Sequence, residues 1–275
     1  MKKVPVQISV IIATKNEEKN IGRLLASLTQ QTFKDFEIIV VDNYSTDKTR
    51  QIAKQFTKMI YQIPPERSSQ KNFGLKKARG QYVLFLDADM TCQQHLLTEC
   101  LKTFEKKPKI AGIVIPEEAA GTGFLAKIKA LEKKLYQDQA LIEAPRFART
   151  GQVAQIGGFD EDLVAGEDWD LGNRLINFGN FAKVTAKIYH HEQKSFFQDI
   201  RKKYYYALHI QKYAEKYPEI FKYQASFARF SSLLKKPKMV LEKPIDFIGL
   251  LFLKSAQYLA YLAAKIALFM PLKNE

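Results

Sequence analysis

Tyr82-Val-Leu-Phe-Leu-Asp87-Ala-Asp89 is the stretch on which the fold turns. An almost unbroken apolar run that stops on two acids reads as a strand of a parallel sheet covered on both faces. In open α/β sheets, ligands collect just outside the carboxyl ends of such strands. Two Asp side chains one residue apart at that place make a hard, anionic oxygen site. It suits Mg²⁺ or Mn²⁺ carrying a diphosphate better than it suits zinc. Taken alone, Asp-x-Asp also fits a strand followed by an acid-rich turn, so its meaning depends on the neighbouring segments.

Those segments repeat the pattern. Residues 7–13 form a first apolar strand that runs into Thr14-Lys-Asn-Glu17. Ile21, Leu24, Leu25 and Leu28 then recur at helical spacing within residues 18–31. A second strand, residues 36–42, also ends in an acid, Asp42, and Asn43 to Asp47 read as a turn and helix cap leading into residues 48–56. A short strand at 59–62 precedes Pro64-Pro65, and a helix is expected over 68–78 with a stop at Arg79-Gly80. The alternation predicts an α/β fold with a mostly parallel central sheet and helices on both faces. Three strand ends, Thr14/Glu17, Asp42 and Asp87/Asp89, then fall on one sheet edge. Neither Gly-x-Gly-x-x-Gly after the first strand nor Gly-x₄-Gly-Lys-Ser/Thr occurs, which argues against a Rossmann dinucleotide site and a P-loop.

Composition narrows the setting. A chain of 275 residues accommodates one large α/β domain and a smaller appendage. Cys92 and Cys100 have no metal-ligand spacing and suggest no disulfide framework, which fits a reducing compartment. The N-terminal residues lack an apolar stretch ahead of the first strand, so no signal peptide is expected. The net charge of +14 is concentrated late: from Lys194 onward there are 15 Lys/Arg against 6 Asp/Glu. Such a tail fits nucleic acid, an anionic membrane or an acidic substrate, and the choice depends on what accompanies the charge.

Val10-Ile-Ile-Ala-Thr-Lys-Asn-Glu17, Leu28-Thr-Gln-Gln-Thr-Phe-Lys-Asp-Phe-Glu-Ile-Ile-Val-Val-Asp-Asn-Tyr-Ser-Thr-Asp47, Gln70-Lys-Asn-Phe-Gly74 and Asp87-Ala-Asp89 occur in this order. Together they resemble the family 2 glycosyltransferases, over roughly the first 190 residues. The resemblance implies the GT-A fold, an inverting transfer from a nucleotide-diphosphate sugar, and Mn²⁺ or Mg²⁺ at Asp-x-Asp. It further implies that Ala13, Thr14 and Glu17 lie by the nucleobase and ribose and that Asp42 hydrogen-bonds the base. Asp89 would be the metal ligand, and Asp87 would face sugar or ribose hydroxyls. Arg67 and Lys71 fall in the region facing the diphosphate. Many relatives have Arg-Asn where this chain has Lys71-Asn72, and lysine keeps the charge but loses the bidentate fork. On the residues alone, Arg67 and Lys71 equally fit a solvated helix face.

The following half carries an expected helix at 93–106, a strand at 110–116, a helix at 122–139 and then Pro145-Arg-Phe-Ala-Arg149. Gly166-Glu-Asp-Trp-Asp170 opens a helix expected over 169–178, where acids also act as plain caps at the positive helix end. In the resembled family a Glu-Asp element supplies the general base toward the acceptor hydroxyl. The resemblance assigns that role to Asp168, with Glu167 and Asp170 as alternatives. Trp169 fits a pocket wall or the core. Short strands are expected at 181–184 and 186–189. The Tyr189-His190-His191-Glu192 run that follows resembles a family pattern in which His190 completes the metal or diphosphate site.

Residues 196–217 are expected to form a helix with Phe197, Ile200, Tyr204 and Leu208 on one face, and they also carry Arg201-Lys-Lys203, Lys212 and Lys216. Residues 246–270 are almost wholly apolar and long enough to span a bilayer, but Lys254 and Lys265 interrupt them on one helical face. That pattern favours a helix lying in an anionic membrane interface, or paired with another chain, over a transmembrane span. Nucleic-acid binders interleave aromatic and basic residues too, but do not usually follow them with such a run. The expected organisation is a catalytic domain at 1–193, with a nucleotide-sugar-binding half at 1–91 and an acceptor half at 92–193. A C-terminal membrane-associating extension follows at 194–275. The expected activity is sugar transfer from a UDP- or GDP-sugar to a lipid-linked saccharide, at the cytoplasmic face of the membrane. Transfer to a polyprenyl phosphate, or a catalytically inactive nucleotide-sugar-binding scaffold, are the alternatives.

Overall fold

The computed structural model describes residues 6–64, 66–136, 143–191, 195–225 and 237–269. Pro65, the end of the helix expected at 122–139, Glu192, the expected boundary at 193/194 and Met270 lie outside the described residues. The chain divides into two compact units. The first comprises Met1–Glu118, Glu143–Glu161 and Glu167–His191; the second comprises Ala119–Ile142, Asp162–Gly166 and Glu192–Glu275.

The first unit is built on a seven-stranded sheet. Strands β1 (Ile8–Thr14), β2 (Phe36–Asp42), β3 (Ile60–Gln62) and β4 (Tyr82–Asp87) pair in parallel in the order β3-β2-β1-β4. β1 is buried at every position because both faces are covered. Ile8, Val10 and Ile12 enter one core with Leu84 and Leu86, while Ile11 enters the other with Val83 and Phe85. The helices α1 (Ile21–Thr29), α2 (Thr49–Ala53) and α3 (Arg67–Lys77) form where the periodicity places them.

Past β4 the topology changes. A three-residue strand β5 (Met90–Cys92) follows the Asp-x-Asp directly, then α4 (Leu96–Lys106), β6 (Gly112–Val114) and β7 (Glu117–Ala119). Strand β8 (Phe147–Arg149) runs antiparallel between β4 and β6, and β9 (Phe181–Lys183) joins β6 in parallel. The sheet is therefore mixed and mostly parallel. A second, three-stranded sheet has the order β5-β10-β7, where β10 is Ile188–His190. The helix expected at 169–178 begins earlier, as α7 (Glu167–Leu175), and ends in a 3₁₀ turn at Ile176–Phe178; α6 (Thr150–Gln155) precedes it. Both Glu167 and Asp168 thus lie in the first turn, where the helix end favours acids.

The second unit is helical. Its core joins α5 (Phe124–Tyr136) to α8 (Phe196–His209) and to the C-terminal helix, Pro244–Phe269. Between these run α9 (Gln211–Lys216), α10 (Pro218–Ala225) and α11 (Pro237–Glu242), so the C-terminal helix is α12. The helix expected over 196–217 breaks at Ile210. The face expected to carry Phe197 and Ile200 is divided: Phe197 is 80% exposed, whereas Ile200 packs inward with Phe196. Asp199 is also turned inward, its carboxylate bound by Lys129 and Gln257 at 2.5 and 2.7 Å.

Helix α3 sits on the sheet with almost no spacing. A Cβ added at Gly74 would lie 2.4 Å from Cγ2 of Ile11 on β1. Replacing Gly74 by Ala therefore forces α3 off the sheet. We expect Gly74→Ala to destabilise the chain by about 1–3 kcal/mol, the usual range for overpacking, read as a lowered urea midpoint. An unchanged midpoint would contradict this seating of α3.

Candidate active site

Register brings three strand ends together. Thr14 lies opposite Asp42 in the β1–β2 pair, and Ala13 opposite Asp87 in the β1–β4 pair. The loops after β1 and β2 interlock. Asn16 and Tyr44 hold left-handed backbones, at φ 53° and 46°. The Asn16 amide donates to Ser45 Oγ at 2.8 Å, while its side-chain oxygen accepts from the Thr46 amide at 2.9 Å. Strained non-glycine residues persist only where surrounding contacts over-determine them, commonly at functional sites. Asp42 is fully buried; it accepts from the Ser45 amide at 2.8 Å and from the Ser45 hydroxyl, with Arg50 3.7 Å away. The Glu17 carboxylate accepts from Asn20 at 2.6 Å. Gln70 on α3 donates to the carbonyls of Thr14 and Val41, at 3.0 and 2.6 Å, and so ties both strand ends to the helix.

The Asp-x-Asp site is completed by the small sheet. β5 pairs antiparallel with β10, His190 opposite Met90, and the His191 amide donates to the Asp89 carbonyl at 2.8 Å. This pairing fixes His190 Nδ1 3.8 Å from Asp89 Oδ1. Glu117 Oε2 lies 2.8 Å from the other ring nitrogen. Arg146 was not assigned a role from the sequence. It lies 3.4 Å from Asp87 and 2.5 Å from Glu117. It reaches this edge because β8 is antiparallel, so the start of β8 lies beside the end of β4. Burial alone would raise the pKa of Asp87, but the charges of Arg146, Lys71 and Arg67 overcome it and hold the carboxyl well below its ordinary range.

The second cluster links α3 to α7. Lys71 is 1% exposed, which excludes a solvated helix face for it. Its ammonium donates to Asp168 Oδ1 at 2.8 Å and lies 3.8 Å from Glu167, while Arg67 is 3.5 Å from Glu167. Burial would lower the Lys71 pKa; Asp168, Asp87 and Glu167 outweigh it and raise it. Burial and the adjacent Asp168 charge raise the Glu167 pKa. The three acids of the motif differ in access. Asp168 is 37% exposed and Glu167 6%. Asp170 is buried against Arg174 at 2.5 Å. Asn72, next to Lys71, holds the preceding loop through the Phe159 amide and carbonyl, both at 2.8 Å.

The residues at the Asp-x-Asp edge fit a divalent ion that arrives with a diphosphate. Asp87 Oδ1 and both His190 ring nitrogens are buried without a directed hydrogen bond. Among the described residues no group of three His, Cys, Asp or Glu side chains is arranged to hold a metal unaided. One or two carboxylates completed by substrate phosphates is how Mg²⁺ is usually held.

A mostly parallel sheet with an Asp-x-Asp and a Glu-Asp pair in this arrangement defines the GT-A fold class. The glycosyl transferase family 2 model matches residues 9–156, more than half of the chain, and the chain belongs to that family. It is 27% identical over 188 residues to an uncharacterized glycosyltransferase of Haemophilus influenzae, covering 63% of this chain and 63% of that protein. It is 39% identical over 93 residues to the poly(ribitol-phosphate) β-N-acetylglucosaminyltransferase TarS of Staphylococcus aureus, covering 30% of this chain and 16% of TarS. The crystal structure of TarS 1–349 superposes with a TM-score of 0.59 at 20% identity, covering 95% of this chain and 90% of that one. The mannosyltransferase PcManGT of Pyrobaculum calidifontis, in complex with GDP-Man and Mn²⁺, gives 0.61 at 17%, covering 96% and 87%. These structural likenesses establish the fold.

The buried cation generates a stability prediction. Lys71→Met leaves Glu167 and Asp168 adjacent without their shared ammonium. Breaking a buried pair in this way destabilises by about 3–5 kcal/mol. The loss should shrink by about 1 kcal/mol or more when Glu167→Gln is already present, since contacting residues couple. In Lys71→Met the Glu167 pKa, already raised, moves further up, so the folded form holds that proton more tightly than the unfolded chain. Relative to the parent chain, the variant's loss of stability should therefore be smallest at acid pH and grow as pH rises through the shifted range. Urea titrations across pH test both points; an additive double mutant would contradict the shared ion pair.

Proposed function

We propose that this chain is a metal-dependent, inverting glycosyltransferase. It moves a sugar from a UDP- or GDP-linked donor to a lipid-linked saccharide in cell-envelope polysaccharide or glycolipid synthesis, at the cytoplasmic face of the membrane. The observation that carries this reading is the pairing of accessible Asp168 with buried Lys71, at the sheet edge that also holds Asp87 and Asp89. Family membership and the donors bound by structural neighbours support it: UDP and UDP-GlcNAc in TarS, and GDP-Man with Mn²⁺ in PcManGT.

On this reading Asp168 is the general base. It takes the proton of the acceptor hydroxyl as that oxygen attacks the anomeric carbon, and the bond to the diphosphate breaks on the opposite face. Lys71, 2.8 Å from Asp168 Oδ1, holds the base in place. Glu167, less accessible and with a raised pKa, positions Lys71 and Arg67. Ala13, Thr14, Glu17 and Asp42 form the nucleoside end, and Asp87 faces sugar or ribose hydroxyls. Asp89 and His190 would hold the ion, His190 Nδ1 lying 3.8 Å from Asp89 Oδ1 and Nε2 2.8 Å from Glu117 Oε2. The ion, when bound, neutralises charge on the leaving diphosphate. Arg146 stands beside Asp87 as a further cation at that end.

Transfer and hydrolysis assays over a panel of nucleotide sugars with Mn²⁺ or Mg²⁺ test the proposal. Asp168→Asn should retain donor binding by calorimetry and lose transfer by about 10²–10⁴-fold, the usual worth of a general base. Asp89→Ala should abolish the metal dependence of nucleotide binding. Normal transfer by Asp168→Asn would overturn the base assignment. Donor binding without turnover of any sugar would instead identify an inactive scaffold.

A further inference from the structure

Helix α12 is long and apolar enough to cross a membrane. Its two faces are nevertheless different. Lys254 is ion-paired to Glu132 of α5 and hydrogen-bonded to Gln257 at 3.0 Å. Gln257 donates to Asp199 of α8, which Lys129 also binds. Lys265 follows Lys254 by eleven residues, about three turns, and so lies on nearly the same side of the helix. Lys254 and Gln257 thus face the protein side of α12. About a third to a half of a turn away runs a stripe without charge. Ile245, Ile248, Phe252, Leu259 and Ile266 along it are all more than half exposed.

Two other helices extend that stripe. Phe196 of α8 stacks on Phe252 with ring centroids 5.7 Å apart, and Phe197 packs edge-on against Phe196 while remaining 80% exposed. On α5, Phe124 approaches α12 at Gly249, where an added Cβ would meet its ring at 2.8 Å, and it too is mostly exposed. Each helix places an exposed cation within a turn or so of these side chains: Lys127 on α5, Arg201 on α8, and Lys243 just before α12. Exposed aromatic and aliphatic side chains rimmed by cations match an anionic lipid surface in both chemistry and charge.

We propose that the second unit docks on an anionic membrane through this platform of α5, α8 and α12, with α12 lying in the interface plane. A spanning α12 would carry Lys254, Gln257 and Lys265 into hydrocarbon and break the Asp199 and Glu132 contacts. The inference deepens only the membrane part of the proposed function and holds whatever sugar is moved.

Sedimentation of the full chain with vesicles tests it. Binding should be stronger to phosphatidylglycerol-containing than to pure phosphatidylcholine vesicles, and should weaken with salt. Phe197→Glu with Ile248→Glu should lower binding by about tenfold or more, with circular dichroism and nucleotide binding unchanged. Lys127→Gln, Arg201→Gln and Lys243→Gln together should remove the preference for anionic lipid. Equal binding to both vesicle types, or full binding by the Glu variant, would overturn the proposal. So would a dimer in vesicle-free solution that the Glu variant dissolves, because a second copy would then cover the platform. Retention in cell membranes after alkaline carbonate extraction would overturn the in-plane geometry. None of these outcomes alters the Asp168→Asn experiment, so the two readings fail separately.

Discussion

A lysine ammonium shut away from water persists only where carboxylates surround it, and the first unit is arranged around that constraint at Lys71. Three consecutive residues of α3 perform different tasks. Gln70 binds the carbonyls at the ends of β1 and β2, Lys71 reaches the acids of α7, and Asn72 fixes the loop that precedes them. The tight seating at Gly74 lets one short helix reach all three. The polar face of α3 is therefore turned inward. A helix with few apolar residues is here held by hydrogen bonds and charge more than by hydrophobic burial.

How much of this was legible in the sequence follows from the range of the interactions. The strands before Asp89 were readable because parallel, doubly covered strands are apolar runs, and the edge was readable because each run stops on a polar residue. After β4 the strands are three residues long; those at β6, β9 and β10 were anticipated, whereas β5, β7 and β8, which lack a longer apolar run around them, were not. Arg146 was missed for a related reason. The rule that chemistry sits at strand C-termini does not hold for an antiparallel strand, whose beginning lies at that edge. Lys71 was expected in the region that faces the diphosphate in the resembled family, and was equally consistent with a solvated face. Only the position of Asp168, 97 residues later, distinguishes the two.

The C-terminal helix shows the same limit from the other side. Composition supplies length and apolarity, and Lys254 and Lys265 supply a contradiction. Neither reveals that Glu132 and Asp199 lie opposite one polar face, because those partners come from α5 and α8. Sequence spacing did show that the two lysines share a side, which is the half of the argument that helical periodicity can carry.

Charge also constrains what the site accepts. The carboxylates brought together by the two clusters are Asp87, Asp89, Glu117, Glu167 and Asp168, facing Lys71, Arg67 and Arg146. With Glu167 protonated more readily than usual, the remaining acids still outnumber the three cations. A diphosphate adds at least two negative charges to a partly desolvated space. Lys71 and Arg146 are already committed to carboxylates, so they offset that addition only in part. On the proposed reading, a divalent cation entering with the donor supplies the missing charge at Asp89. Asp87 is held ionised chiefly by Arg146, which on the proposed reading suits it to neutral hydroxyl donors and leaves the diphosphate to the Asp89 end.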